Sequence, residues 1–208
     1  IALVRNSSES LAGRTKFFLL EPLSFREWLE LNKAKIDLNK IDLYEKEVKQ
    51  LLKWFLKTPF PEIAGEKDEI KIKEFVQDFI LARIIYYDLN KEFKDVDLAL
   101  LEALKNLVYD NPGIIINFDQ LASDLKRGKE NIIKHITYLE QGLLIRIIKN
   151  YRAGALSSSR KLKKAYPYHP CFCTGVEESK IIENAAITLL NAEYYWREQE
   201  KEIDIILN

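Results

Sequence analysis

The 208 residues are 47% hydrophobic and 31% charged, the balance of an ordinary folded globular protein, and their length accommodates one large or two to three small domains. Thirty-two basic and thirty-two acidic residues cancel to a formal net charge of zero, which excludes a uniformly cationic nucleic-acid binder and leaves only local charge clustering to carry such a role. No apolar run approaches the ~18 residues of a membrane span and no signal peptide is visible, so a cytoplasmic protein without a membrane partner is expected.

The first 24 residues contain a polar turn and one strand. The run from Leu11 to Glu27 gives a basic turn at Arg14, a buried strand over Phe17–Leu20 and a stop at Pro22. Ser24 with Glu27 three residues on is the signature of a capping box, so a helix starts at Phe25 and runs to Leu31. Residues 25–94 are helical. Leu43, Val48, Leu51, Leu52, Phe55 and Leu56 follow helical spacing up to Pro59 and Pro61. A further amphipathic helix over Ile70–Leu89 turns Ile72, Phe75, Val76, Phe79, Ile80, Ile84 and Ile85 inward.

Residues 95–150 have a different rhythm. Leu98, Leu100, Leu101, Leu104, Leu107 and Val108 line a helix that ends at Asn111-Pro112-Gly113. A short strand at Ile114–Ile116 precedes a brief helix capped by Asn117 or Asp119. After the turn Lys126-Arg127-Gly128, a third helix over Lys129–Gln141 buries Ile132, Ile133, Ile136 and Leu139, and a strand follows at Leu144–Ile148. Helix, strand, helix, turn, helix, strand is the order of a winged helix. The last unit predicts a helix over Glu178–Leu190 with Ile181, Ile182, Ala185, Ala186 and Leu189 inward, then strands at Tyr194–Arg197 and Ile203–Leu207. On the second strand Glu202 and Asp204 share one face, and Ile203 and Ile205 turn the other toward the core.

Charge distribution carries the strongest functional signal. From Gln141 to Val176 there is no Asp or Glu, while Arg146, Lys149, Arg152, Arg160, Lys161, Lys163 and Lys164 are interleaved with Tyr151, Tyr166 and Tyr168. A cationic stretch directly after a winged helix suits neutralisation of DNA phosphates, which positions a protein without reading sequence. The third helix is expected to present Lys126, Arg127, Lys129, Asn131, Lys134, His135 and Tyr138 to a groove, with His135 a surface polar residue. The alternative is a solvated basic face, or a winged helix used for protein contacts. Cys171 and Cys173 stand two apart on an expected strand, and with His169 offer three metal ligands. Nothing completes a tetrahedral site, so they are read as small apolar residues in a reducing compartment.

The words "SLAGRT…LLEPLSFREWL", "FLKTPFPE", Glu183-Asn184-Ala185, Tyr194-Tyr195-Trp196-Arg197 and Glu202-Ile203-Asp204-Ile205-Ile206 resemble one family: prokaryotic AAA+-type P-loop ATPases carrying a winged helix and a C-terminal PD-(D/E)XK nuclease-like domain. Thr58-Pro59 stands where those proteins usually have glycines. The resemblance implies a mainly α fold with α+β elements: the end of an ATPase core (1–24), a helical lid (25–94), a winged helix with a basic wing (95–166) and part of a nuclease-like domain (167–208). It implies ATP and Mg²⁺ as cofactors of the whole protein, with duplex DNA or another protein as partner, and a homo-oligomer. Arg14 takes the place of an arginine finger, and Glu183 and Asp204 that of catalytic, metal-holding carboxylates. No G-x-x-x-x-G-K-[ST] occurs, so ATP hydrolysis would require a P-loop elsewhere. The chain starts at Ile1 and contains no methionine, which leads us to expect a longer natural polypeptide. A winged-helix DNA-binding regulator without enzymatic activity is the alternative. A metal-dependent nuclease would need a Glu-x-Lys strand after Asn208.

Overall fold

The computed structural model describes residues 21–151, 163–173 and 175–207. These form two compact units divided between Ala82 and Arg83. Arg14, Arg152, Arg160 and Lys161 lie outside the described residues.

In the first unit, α1 (Phe25–Leu31) starts as its sequence dictates. The Ser24 N–H donates to Glu27 Oε2 at 2.8 Å, and the Glu27 N–H donates to Ser24 Oγ at 3.3 Å. These bonds satisfy backbone donors that a helix start leaves orphaned. Trp28 of α1 and Phe55 of α2 (Glu45–Phe55) are buried against each other, their rings 6.2 Å apart and nearly perpendicular. Leu43 is 75% exposed in a 3₁₀ segment ahead of α2 and is not part of this stripe. Thr58 is fully buried. Its hydroxyl donates to the Trp54 carbonyl at 2.8 Å and accepts the Trp28 indole N–H at 3.1 Å. Thr58 therefore both closes α2 and partners a buried tryptophan.

The helix α3 (Glu69–Glu74) continues through π-type turns at Phe75–Leu81. In the second unit, Arg83–Leu89 forms π-type turns and Asn90–Glu92 a short helical turn. A π turn closes from i to i+5, as the Ala82 N–H to Gln77 carbonyl bond does. Burial in the first unit therefore falls on Ile72, Val76 and Leu81, and in the second unit Ile85 and Leu89 are buried. Phe79, expected inward from a 3.6-residue period, is 67% exposed because the longer turn shifts the phase.

The second unit contains α4 (Leu98–Asp110), β1 (Ile114–Ile116), α5 (Phe118–Asp124), α6 (Lys129–Gln141), β2 (Ile145–Asn150), β3 (Lys163–Pro167), α7 (Glu178–Leu189), β4 (Tyr194–Glu198) and β5 (Lys201–Ile206). Leu101, Leu104, Ile132, Leu139 and Leu144 are fully buried in its core. The strands form one sheet in the order β1-β3-β2-β4-β5. β3 is antiparallel to both β1 and β2, which with α4, α5 and α6 is the arrangement of a winged helix. β2 is parallel to β4 at Lys149↔Tyr194 and Asn150↔Tyr195, so the sheet runs on without a break into the antiparallel β4–β5 hairpin. Ile148, Tyr166, Ile187, Ala192 and Tyr195 make a buried cluster that draws on both sides of residue 166. The chain is mainly α with α+β elements. Among the described residues, no helix is long and apolar enough to cross a membrane.

Several apolar residues expected inside are not. Ile133 lies at the edge of the buried face of α6 and is 40% exposed. The inward stripe of α7 is Asn184, Ala185 and Ile187, which leaves Ile182 and Leu189, seven residues apart, together on the opposite stripe and exposed. On β5 a register shift opposite Tyr194 and Trp196 breaks the two-residue alternation. Ile205 packs on the core cluster while Ile203 is left 53% exposed.

Candidate functional site

The third helix of the winged fold, α6, does not offer the cationic face expected of it. Arg127 Nε donates to Asp97 Oδ2 at 3.0 Å, Lys129 pairs with Asp119 at 2.8 Å, and Lys134 pairs with Asp95. The Lys134 hydrogen bond is the main reason that the Asp95 carboxyl titrates below the usual range. His135 and Tyr138, expected at the surface, are buried. His135 Nε2 accepts the Asp97 N–H at 2.8 Å, which leaves Nδ1 to donate to the Asn131 carbonyl at 2.8 Å. The Tyr138 hydroxyl donates to Asp95 at 3.2 Å. This helix is thus tied to the segment preceding α4. Lys126, in the turn before it, is exposed, and Asn131 is half-buried.

The base of the wing is different. Lys149 of β2 and Lys163 of β3 are direct cross-strand partners, and they flank residues 152–162, in which Arg152, Arg160 and Lys161 fall. Like charges placed opposite each other on a sheet repel, which an incoming anion relieves. Lys149 is exposed, and the Lys163 ammonium lies 6.0 Å from the centre of the Phe118 ring. Both act on Glu140: burial raises its pKa, and the charges of Lys163 and Lys149 act against that rise. Arg146 is engaged elsewhere, donating to Asn191 Oδ1 at 2.5 Å and lying over the Tyr168 ring.

The third constellation gathers the carboxylates. Lys164, 5% exposed, points its ammonium at Asp204 Oδ1 (3.2 Å), Glu183 Oε1 (3.6 Å) and Glu202. Burial opposes its charge, but the hydrogen bonds to Glu202 and Asp204 and the charges of Glu202 and Glu183 outweigh burial and raise its pKa. The Tyr166 hydroxyl donates to Glu183 Oε1 at 2.6 Å. Lys180 pairs with Glu183, and Arg197 with Glu202. Glu183 and Asp204 both face the Lys164 ammonium, and Lys164, expected to meet DNA, is between them and out of reach of a phosphate. These residues do not fit Mg²⁺, because an ammonium already occupies the point on which their oxygens converge. Among the described residues, no group of three or more His, Cys, Asp or Glu side chains is placed to hold a metal ion.

Cys171 and Cys173 sit on and just after a 3₁₀ turn (Pro170–Phe172), not on a strand. The His169 Nδ1 accepts the Cys171 N–H at 3.1 Å. Burial pushes the Cys173 thiol up to about 11 and the Cys171 thiol up as well, so both stay protonated and unreactive at neutral pH.

The residue that sequence reasoning misplaced most is Lys164. Its only sequence signal was membership of a basic run, which says nothing of burial. Glu202, which completes its carboxylate shell, was visible in the sequence only as a neighbour of Asp204.

No curated protein and no solved structure matches the chain. A family model described as "Domain of unknown function (DUF8612)" matches residues 48–170, from within α2 to the turn after β3, and stops short of α7, β4 and β5. Because that match covers more than half of the sequence and takes in the whole winged helix, the chain belongs to the DUF8612 family.

Proposed function

We propose that the winged helix binds the phosphate backbone of duplex DNA through the base of its wing, and that it does so as part of an AAA+-type ATPase. The observation that carries the DNA reading is the Lys149–Lys163 pair, two cations set opposite each other inside the acid-free stretch from Gln141 to Val176. Lys129 and Lys134 of α6, and Arg127 in the turn before it, are neutralised by aspartates of the same unit, so the contact is made with phosphates and is indifferent to base sequence. The ATPase part of the proposal rests on the sequence resemblance. It assigns ATP and Mg²⁺ to a P-loop core outside these residues, Arg14 to the nucleotide of a neighbouring subunit in a homo-oligomer, and the whole to the cytoplasm.

The test is a duplex titration followed by fluorescence anisotropy at low and raised salt. Lys149→Glu with Lys163→Glu should abolish salt-sensitive binding, whereas Arg127→Ala with Lys134→Ala should leave it close to wild type. Each lost phosphate contact should reduce the slope of log K against log salt by about 0.9. Wild-type affinity in the Lys149/Lys163 variant would sink the proposal.

A further inference from the structure

Three side chains from two separate elements, Glu183 on α7 and Glu202 and Asp204 on β5, turn their carboxylates to the Lys164 ammonium of β3. The shell around them is balanced. Lys164, Lys180 and Arg197 supply three positive charges against the three carboxylates. The ammonium is also enclosed from one side by the Tyr195 ring, 5.1 Å from its centre. The Tyr166 hydroxyl, two residues along the same strand, fixes Glu183. Gly113 closes the site from the loop before β1: a Cβ there would come within 3.3 Å of Glu183 Oε1.

We infer that Lys164 is the resident cation of this carboxylate shell, a built-in substitute for a divalent metal, and that it latches the wing-bearing strand β3 to α7 and β5. The shell has oxygen ligands of the kind Mg²⁺ or Mn²⁺ takes. With the ammonium in place, a divalent ion would bring two further charges into a neutral site and would have to displace a buried group from its hydrogen bonds. Without it, three carboxylates would face only two peripheral cations, and a divalent ion, which carries one charge more than the ammonium, would offset only part of what was lost. The chain thus excludes metal where its residue types alone invite it. Strand β3, which follows the wing, has no ladder to the β4–β5 hairpin, since β2 lies between them in the sheet, so the charges around Lys164 are what join it directly to β5.

The test compares the wild-type chain with Lys164→Met, which keeps the volume and removes the charge, by thermal unfolding in EDTA and in millimolar Mn²⁺. The wild type should be indifferent to Mn²⁺. Lys164→Met should melt lower in EDTA and regain part of the loss in Mn²⁺, and adding Glu183→Gln should abolish that recovery. A measurement on the unaltered chain keeps the inference exposed should Lys164→Met fail to fold. Reductive methylation of the native protein should modify Lys126 and Lys149 and spare Lys164 until the chain unfolds. Overturning results are Mn²⁺ binding by the wild type that Glu183→Gln or Asp204→Asn removes, a Lys164→Met chain as stable as wild type, or methylation of Lys164 at the rate of Lys149. None of these readouts involves DNA, so they stand or fall apart from the wing.

Discussion

Replacing Gly113 by alanine should destabilise the second unit by about 2–3 kcal/mol. Gly113 has φ +85°, and its N–H donates to the Ala165 carbonyl, which ties the loop before β1 to β3. An L-residue in this left-handed region costs ~1–2 kcal/mol. Space adds to the cost. The new Cβ would lie 3.1 Å from Tyr166 Oη, 3.2 Å from Tyr166 Cε1 and 3.3 Å from Glu183 Oε1. None of these atoms yields easily, because Tyr166 is fully buried and its hydroxyl is bonded to that same Glu183 oxygen at 2.6 Å. Relieving the clash would also draw Glu183 from Lys164. The internal control is Gly65, where a Cβ meets nothing within 4 Å and φ is not positive. Alanine there should be neutral or stabilising by ~0.4–1 kcal/mol through the unfolded state. Urea unfolding followed by circular dichroism reads both variants. A Gly113→Ala midpoint indistinguishable from wild type would refute the close-packed description of the Tyr166–Glu183 contact.

Thr58→Val should cost ~1–3 kcal/mol, because it leaves the buried Trp28 indole N–H without its acceptor, while Thr58→Ser should recover most of the loss. Thermal melting of the two variants checks this, and equal melting temperatures would argue against the bond. Stability should also fall in mild acid. Burial holds the His169 imidazole down at about 3 from its ordinary 6.5, so the unfolded chain takes up a proton that the folded chain refuses. The contribution is complete above about pH 6.5 and is lost as pH falls from there toward 3, at up to ~1.4 kcal/mol per pH unit. His169→Asn, whose side-chain oxygen can still accept the Cys171 N–H, should flatten the acid limb of a stability–pH curve. An unchanged slope would remove His169 from the acid response.

Local signals in the chain were sufficient for much of the fold. Ser24 and Glu27 set the start of α1, Gly128 and Gly142 bracket α6, and three successive isoleucines make β1, because capping and side-chain periodicity act within a few residues. The pattern of α4 through β2 was enough to indicate a winged helix. Other features are decided by partners far along the chain. β3 reads Lys-Lys-Ala-Tyr-Pro, a poor strand by composition, and becomes one because β1 and β2 flank it on both sides. Lys134 and Tyr138 turn from a groove-facing surface to Asp95, and His135 is buried against Asp97, because the segment ahead of α4 folds back over α6. Lys164 belongs to a basic run in the sequence and to a carboxylate shell in the structure. A buried charge is stable only where its counter-charges converge, and the three that hold Lys164 come from α7 and β5, 19 to 40 residues further on, brought within reach by the parallel pairing of β2 with β4.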